Sequence, residues 1–347
     1  MDLTELESQA RDKLGQGVYD YIAGGSDDEV TLDDNVAAWG RIRLRPRILR
    51  DVATVDTSTT LLGTPLGAPL AIAPSAFHQL LDPEGEAATA RGAAAADALM
   101  VLSSRCSIPP AQVAAAAPGS PRWFQVYVWG DRQVTADLVT EAAESGYSAL
   151  VLTADTPVLG NRRRDERNAF KPGRAVMADR LDGPGRANAL ESYLSPKQDP
   201  SVTFDDIGWL HELTGLPVVV KGVLRGDDAV RSVEAGAAAV MVSNHGGRQL
   251  DGAVATADAL REVVDAVGDR TEVYVDGGIR SGTAMVKALA MGARACMVAR
   301  PVAWGLAVGG ADGVTSVLSS LRADLVLAMR LAGAANLAEC SPDLLAG

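Results

Sequence analysis

Residues 272–300 read EVYVDGGIRSGTAMVKALAMGARACMVAR and contain one complete strand–helix–strand unit. A short apolar run, Glu272–Val275, precedes a glycine turn. A helical pattern over Thr283–Met291 and a second apolar run, Ala295–Val298, follow it. Apolar runs that alternate with amphipathic helices predict parallel strands buried on both faces.

The same alternation extends back to residue 69. The apolar runs are Leu70–Ala73, Met100–Leu102, Trp123–Val128, Ala149–Thr153, Pro217–Lys221, Ala238–Val242, Glu272–Val275 and Ala295–Val298. Eight strand–helix units over ~230 residues match a (β/α)8 barrel, which takes about 250 residues. No GxGxxG follows the first run, which disfavours a Rossmann domain. The predicted fold class is therefore α/β, a TIM barrel.

Two regions lie outside this alternation. Leu3 to about Ala38 predicts helices with a break at Gly24–Ser26, and Arg41–Arg47 alternates arginine with apolar residues, as a strand would. Between Phe170 and Val202, a stretch rich in Gly, Pro and charge predicts a long lid loop after strand four. We predict one domain, 1–347, with an N-terminal extension (1–68), a barrel (69–347) and a lid loop at about 170–202.

The composition narrows the class of function. Hydrophobic residues make up 47% of the 347, and the net charge is −12, which argues against binding to nucleic acid or anionic lipid. No apolar run approaches the roughly 18 residues of a membrane helix. The three cysteines suit neither a disulfide framework nor a metal site. A cytoplasmic protein without a metal or a membrane partner is expected.

Catalytic groups of barrel enzymes sit at the C-terminal ends of the strands. The most informative stretch there is Ser243–Arg248, where His245 lies in a glycine-flanked turn and Arg248 could clamp a carboxylate. Of the other two histidines, His211 falls in a helical pattern and His78 in a loop, so neither is expected to be catalytic.

Three further strand ends carry charge. Asp276–Arg280 and Arg300 follow strands seven and eight, where barrels commonly bind phosphate. Lys221 ends strand five. It could stabilise charge electrostatically or form a Schiff base, as in barrel aldolases.

Taken together, the chain resembles the FMN-dependent 2-hydroxy-acid oxidases and dehydrogenases, which include the glycolate, lactate and hydroxymandelate oxidases. The resemblance covers nearly the whole chain, and SNHGGRQLDG (243–252) is its most specific string. It is carried by Tyr19–Tyr21, Arg45–Arg47, Ala73–Ala76, Asp82–Glu86, Gln125–Tyr127, Thr153–Pro157, Val220–Val223, Ser243–Gly252 and Asp276–Gly282. It implies oxidation of a small (S)-2-hydroxy acid to the 2-keto acid by FMN. O2 would then reoxidise the FMN and give H2O2, or another soluble acceptor would. The resemblance also implies a homo-oligomer, a tetramer by family analogy.

The resemblance also implies roles for individual residues. His245 would be the base that takes a proton from the 2-hydroxyl or the 2-carbon, and Asp155 would orient its ring. Tyr127 would hydrogen-bond the substrate oxygen, and Lys221 would stabilise the reduced flavin. Tyr21, Arg162 and Arg248 would bind the substrate carboxylate. The expected cofactor-binding residues are Ala73, Pro74, Ser75, Ala76, Ser103, Gln125, Tyr127, Thr153, Lys221, Ser243, His245, Gly246, Arg248, Asp276, Gly277, Gly278, Arg280, Ala299 and Arg300.

Three positions depart from the family pattern or depend on counting. Arg105 stands where glycolate oxidase has an aromatic residue. It could select an acidic or phosphorylated substrate side chain, or else extend into solvent or pair with the lid. Ala299 replaces a glycine before Arg300. Arg162 is the first of three consecutive arginines and is assigned only by its distance from Asp155.

Other flavin and phosphate barrels remain alternatives. A non-oxidative FMN barrel of the isopentenyl-diphosphate-isomerase type would share the Asp276–Gly278 site, but it would have no use for the His245 and Arg248 set. A flavin-free barrel would use Lys221 as a Schiff base. Ala76, where some dehydrogenases have glycine, favours an oxidase.

Overall fold

The computed structural model describes residues 1–172, 175–176 and 198–346. The strands are β1 (Thr59–Leu61), β2 (Thr64–Leu66), β3 (Leu70–Ile72), β4 (Leu99–Ser103), β5 (Arg122–Val126), β6 (Leu150–Thr153), β7 (Val218–Val223), β8 (Ala239–Val242), β9 (Glu272–Val275) and β10 (Ala295–Val298). Strands β3 to β10 are parallel, pair in chain order and close when β10 pairs with β3. The predicted (β/α)8 barrel is confirmed.

Helices surround the barrel and form the N-terminal extension. They are α1 (Leu3–Lys13), α2 (Gln16–Ala23), α3 (Val30–Arg41), α4 (Gly85–Ala95), α5 (Pro110–Ala116), α6 (Arg132–Glu144), α7 (Arg163–Arg167), α8 (Asp205–Thr214), α9 (Gly226–Glu234), α10 (Thr256–Val267), α11 (Gly282–Ala290) and α12 (Arg300–Ala332). Short 3-10 turns span His78–Leu80, Leu337–Glu339 and Pro342–Leu344. Helix α12 is interrupted at Gly309 and Gly310, whose backbone angles are not helical.

Large side chains fill the barrel interior. Trp123 and Tyr274 from β5 and β9 are fully buried with ring centroids 5.6 Å apart. The β1–β2 hairpin, which the sequence analysis missed, adds Leu61 to this interior cluster. The Leu62 N–H donates to the carboxylate of Glu272, the first residue of β9 (3.2 Å). The hairpin therefore closes the N-terminal end of the barrel and leaves the other end for a functional site.

One expectation for the N-terminal extension is wrong. The helices before Ala38 are present with a break after Ala23, but Arg41–Arg47 is not a strand. Leu44 makes a single antiparallel bridge to Leu345, and Arg47 forms an ion pair with Asp343 (2.7 Å). The alternating pattern failed as a predictor because this segment meets a short C-terminal turn, which cannot continue a ladder.

Most of the predicted lid loop, about 170–202, lies outside the described residues. Within the described ranges, no helix is both long and apolar enough to cross a membrane.

Candidate active site

A pocket opens at the C-terminal end of the barrel. Its walls contain all the predicted site residues except Asp155 and Ser243. The predicted residues that line it are Tyr21, Ala73, Pro74, Ser75, Ala76, Ser103, Arg105, Gln125, Tyr127, Thr153, Arg162, Lys221, His245, Gly246, Arg248, Asp276, Gly277, Gly278, Arg280, Ala299 and Arg300. Apolar positions that the sequence analysis did not single out complete the walls, namely Ile22, Leu159, Ile279, Met297, Val298 and Ala303.

His245 is held from two sides. Its backbone lies in the left-handed region (φ 58°), which a non-glycine residue adopts at some strain, and its N–H donates to Ser243 Oγ (3.1 Å). Its Nδ1 lies 2.8 Å from Asp155 Oδ1 and 3.3 Å from Thr156 Oγ1. Of the two predicted residues that do not line the pocket, Asp155 therefore holds the ring of His245 and Ser243 holds its backbone.

The protonation states of this pair follow from their surroundings. Burial alone would raise the pKa of Asp155, but Lys221 and hydrogen bonds from His245 and Thr156 hold it well below its usual range. Burial lowers the pKa of His245 to about 4, although Asp155 opposes that shift. Near neutral pH the carboxylate is charged and can only accept, so Nδ1 carries the ring proton. Nε2 is then a basic lone pair.

Lys221 lies between two carboxylates in the pocket floor. Its Nζ is 3.7 Å from Asp155 Oδ2 and 3.9 Å from Asp276 Oδ2, and the residue is 3% exposed. Burial alone would lower its pKa, but these two carboxylates outweigh burial and raise it. A protonated amine is not a nucleophile, which disfavours the Schiff-base alternative.

The three consecutive arginines, Arg162–Arg164, have different surroundings. Arg163 pairs with Asp28 and Asp27, and Arg164 pairs with Glu29 and Asp20, all in the N-terminal extension. Arg162 alone of the three lines the pocket. The assignment made by counting from Asp155 is therefore the one that the geometry supports.

Two other arginines in the pocket lie against aromatic rings. The guanidinium of Arg248 lies 5.1 Å from the Tyr21 ring centroid, and its Nη1 donates to Gly24 O (2.7 Å). Arg105 lies 5.3 Å from the Tyr127 ring and is only 6% exposed. The expectation that Arg105 extends into solvent is wrong, because the rings of Tyr127 and Trp129 cover it.

The far end of the pocket combines a tight glycine turn with buried arginines. Gly277 and Gly278 have positive φ, and a Cβ on Gly278 would lie 1.8 Å from Asn35 O, so a side chain is excluded there. Burial, with Arg248 and Arg280 nearby, lowers the pKa of Arg300 to about 9, and burial lowers that of Arg280. Such crowded cations favour a bound anion.

A buried hydrogen-bond acceptor also suits the ribityl chain of FMN. The buried Oδ1 of Asp276 has no hydrogen-bond partner among the described residues, and a ribityl hydroxyl could donate to it. Arg300 is less available than expected. It donates to the carbonyls of Ile22, Gly24 and Gly246, which leaves one N–H for a phosphate.

Asn35, on α3 outside the barrel, is a supporting residue that the sequence analysis missed. Its side-chain amide and that of Asn244 donate to each other at 2.8 Å in both directions. Asn35 Oδ1 also accepts from Thr256 N (3.3 Å), and Thr256 Oγ1 donates to Asp276 O (2.6 Å). One buried amide thus ties the extension to the loops of His245 and Asp276. The contacting residues are 209 or more positions away along the chain, so no local pattern could reveal this link.

Comparisons with known proteins agree with this geometry. Residues 10–347 match the model of the FMN-dependent dehydrogenase family. An L-lactate oxidase from a Nostoc species is 47% identical over 99% of this chain and 98% of its own length. Human 2-hydroxyacid oxidase 2 is 44% identical over 99% of this chain and 97% of its own length. A mandelate oxidase structure with (S)-4-hydroxymandelic acid superposes with a TM-score of 0.93. It is 40% identical and covers 99% of this chain and 98% of its own.

The chain belongs to the FMN-dependent 2-hydroxy-acid oxidase and dehydrogenase family. The predicted family, its FMN cofactor and its reaction class, the oxidation of 2-hydroxy acids, are confirmed. The matches give no support to the isopentenyl-diphosphate-isomerase alternative.

Proposed function

We propose that this chain oxidises a small (S)-2-hydroxy acid to the 2-keto acid, with His245 as the base and O2 as the final electron acceptor, giving H2O2. The observation that carries the proposal is the hydrogen bond between His245 Nδ1 and the Asp155 carboxylate (2.8 Å) at the wall of a cationic pocket. FMN, when bound, supplies the two-electron oxidation of the substrate carbon.

Arg248, Arg162 and Tyr21 bind the substrate carboxylate in this proposal. A guanidinium can clamp a carboxylate through two parallel hydrogen bonds, which fixes both the position and the orientation of the acid. The Tyr127 hydroxyl holds the substrate oxygen. Burial raises the pKa of Tyr127, so it stays a hydrogen-bond donor throughout the physiological pH range.

His245 then takes the substrate proton at Nε2. The imidazolium that forms is stabilised by the Asp155 carboxylate, which is already ionised and aligned before the proton moves. Lys221, kept protonated by the carboxylates of Asp155 and Asp276, stabilises negative charge that develops on the cofactor. Asp276 holds the ribityl chain. Gly278, Arg280 and the remaining N–H of Arg300 hold the phosphate.

Oxygen consumption and peroxide formation test the choice of acceptor. The FMN-loaded enzyme is mixed with (S)-lactate, glycolate, (S)-mandelate or (S)-4-hydroxymandelate, and O2 uptake and H2O2 are followed together. One H2O2 per O2 consumed, at the rate at which keto acid forms, is the expected result. Rapid keto-acid formation with an artificial dye but not with air would make the chain a dehydrogenase.

The kcat/KM of the reaction should depend on pH through His245. A base works only when unprotonated, and burial lowers the pKa of His245 to about 4. The rate constant is therefore expected to be flat at neutral pH and to fall as the pH drops through about 4. This profile reports the free enzyme. Measurements across this range with one acid substrate give the profile. A midpoint near the ordinary histidine value of about 6.5 would contradict the assigned burial.

Arg105 is proposed to select the substrate side chain, because its guanidinium is buried in the wall beside Tyr127. Arg105→Met should lower kcat/KM for (S)-2-hydroxyglutarate or (S)-malate by about 10-fold or more relative to (S)-lactate, since a paired charge is worth roughly 1.5–3 kcal/mol. Arg163→Met, which removes a cation outside the pocket, is the matched control. An unchanged ratio between acidic and neutral substrates would reject this role.

We further propose that the extension and the barrel form one domain. We also propose that the protein acts in the cytoplasm as a homo-oligomer, and that this oligomer is a tetramer by analogy with the family. Contacts of Arg300 and Asn244 with the extension support the single unit. Exposed apolar side chains support assembly. Leu49 is 99% and Leu331 69% exposed, and the nearby Arg47 N–H bonds to Ala332 O. Such apolar exposure on one face favours contact with another copy.

A further inference from the structure

A buried polar chain lies directly behind one wall of the pocket, and the mechanism above does not use it. Ser75, which lines the pocket, has its Oγ 2.7 Å from His78 Nε2. The other ring nitrogen of His78, Nδ1, is 2.8 Å from Thr89 Oγ1 on α4. His78 is 2% exposed and Thr89 is fully buried. The loop histidine that the sequence analysis set aside is thus a core residue in contact with the pocket wall.

His78 is a neutral ring in this setting. Burial lowers its pKa, although the buried carboxylate of Glu86 and a hydrogen bond to the Ser75 backbone oppose that shift. Glu86 Oε1 accepts the backbone N–H groups of His78 (3.0 Å) and Ser107 (2.9 Å), so one side chain fixes the loops after β3 and β4. A neutral imidazole donates from one nitrogen and accepts at the other.

The Thr89 hydroxyl has two possible partners, and one tautomer of His78 lets it bond to both. Thr89 Oγ1 donates to the carbonyl of Gly85 one turn earlier (3.4 Å), as buried threonines in helices often do. In that tautomer, Thr89 accepts from His78 Nδ1–H. His78 Nε2 is left as the acceptor, and Ser75 donates to it. The Ser75 proton therefore points away from the pocket, and the Ser75 oxygen lone pairs face into it.

We propose that His78 is a positioning residue that fixes the Ser75 hydroxyl as a hydrogen-bond acceptor toward the flavin ring. This inference rests on the proposed function, in which Ala73–Ala76 cradles that ring. Reduction of a flavin adds an N–H, and an acceptor facing the ring favours the form that carries it. The Ser75–His78–Thr89 chain therefore raises the midpoint potential of the bound FMN.

The midpoint potential of the FMN-loaded enzyme, measured by equilibration with a reference dye, tests this. Ser75→Ala should shift the potential to a more negative value. Thr89→Val leaves the pocket lining unchanged and should also make the potential more negative, by no more than Ser75→Ala does. The reason is that His78 then loses the acceptor that sets its tautomer. The double variant should match Ser75→Ala. Ser107→Ala is the control. It removes a hydroxyl from the loop after β4 that Glu86 fixes, but Ser107 does not line the pocket, so the potential should stay unchanged.

The outcomes separate this inference from the proposed function. A Ser75→Ala potential that is unchanged or more positive would overturn the inference, even if 2-hydroxy acids still reduce the flavin. If the potential of Thr89→Val stays at the wild-type value, His78 does not position the Ser75 hydroxyl. If no 2-hydroxy acid reduces the FMN bound to the wild-type protein, the proposed function is contradicted, whatever the potentials are.

Discussion

Replacing His245 by alanine is expected to lower kcat by roughly 10²- to 10⁴-fold while FMN stays bound, because a positioned general base contributes about that much. The neutral His245 ring offers a lone pair near neutral pH, whereas Lys221 beside it is held protonated. FMN should be retained because the proposed phosphate-binding residues, which include Gly278 and Arg280, are untouched. Steady-state turnover and the amount of flavin released on denaturation measure the two effects.

His211→Ala is the matched control for this variant. His211 lies exposed on α8, where its Nδ1 bonds to Leu216 O (2.9 Å), and it should have normal kcat. Wild-type turnover in a flavin-loaded His245→Ala enzyme would mean that another group takes the proton.

Asp155→Asn should lower kcat by roughly 10²- to 10⁴-fold, as it does where a carboxylate orients a catalytic histidine elsewhere. An amide at this position can donate to His245 Nδ1, which would hold the ring proton on Nε2 and remove the lone pair. The charge that stabilises the imidazolium is lost as well. The reductive half-reaction, followed by stopped flow, measures the change at the chemical step.

A double-mutant cycle separates this effect from general damage. If Asp155 acts through His245, Asp155→Asn combined with His245→Ala should be no slower than His245→Ala alone. Thr156→Val is the control, because it removes a hydroxyl near the same ring nitrogen and keeps the carboxylate; its kcat should stay within about tenfold of wild type. Additive losses in the double variant would show that Asp155 has a separate role.

Much of the site could be predicted because barrel geometry converts sequence order into spatial position. A polar residue that follows a buried apolar run must reach the same rim as every other such residue. Lys221 lies near the end of β7, and His245 and Asp276 follow β8 and β9, so all three are neighbours despite their separation in the chain. The fold and the pocket-lining residues at the strand ends follow from this one regularity, whereas Tyr21, on α2, was predicted only from the family resemblance.

What the sequence could not indicate depends on contacts between distant elements. Asn35 reads as an ordinary helical residue until α3 meets the loop after β8. His78 reads as a loop residue because its burial comes from α4, which packs over it. Arg41–Arg47 has the period of a strand, but its neighbour offers only one bridge at Leu345. Local periodicity carries no information about which partner is available.

Anaerobic mixing of the FMN-loaded enzyme with (S)-2-hydroxy acids tests the role of His245 as the base that allows these acids to reduce the flavin. The panel is glycolate, lactate, mandelate, 4-hydroxymandelate and malate, and the yellow flavin absorbance is followed with wild type and His245→Ala side by side. This role predicts rapid bleaching of wild type by at least one acid, and bleaching by the same acid roughly 10²- to 10⁴-fold slower in His245→Ala. Equal rates in the two proteins, or no bleaching of wild type by any acid, would contradict it.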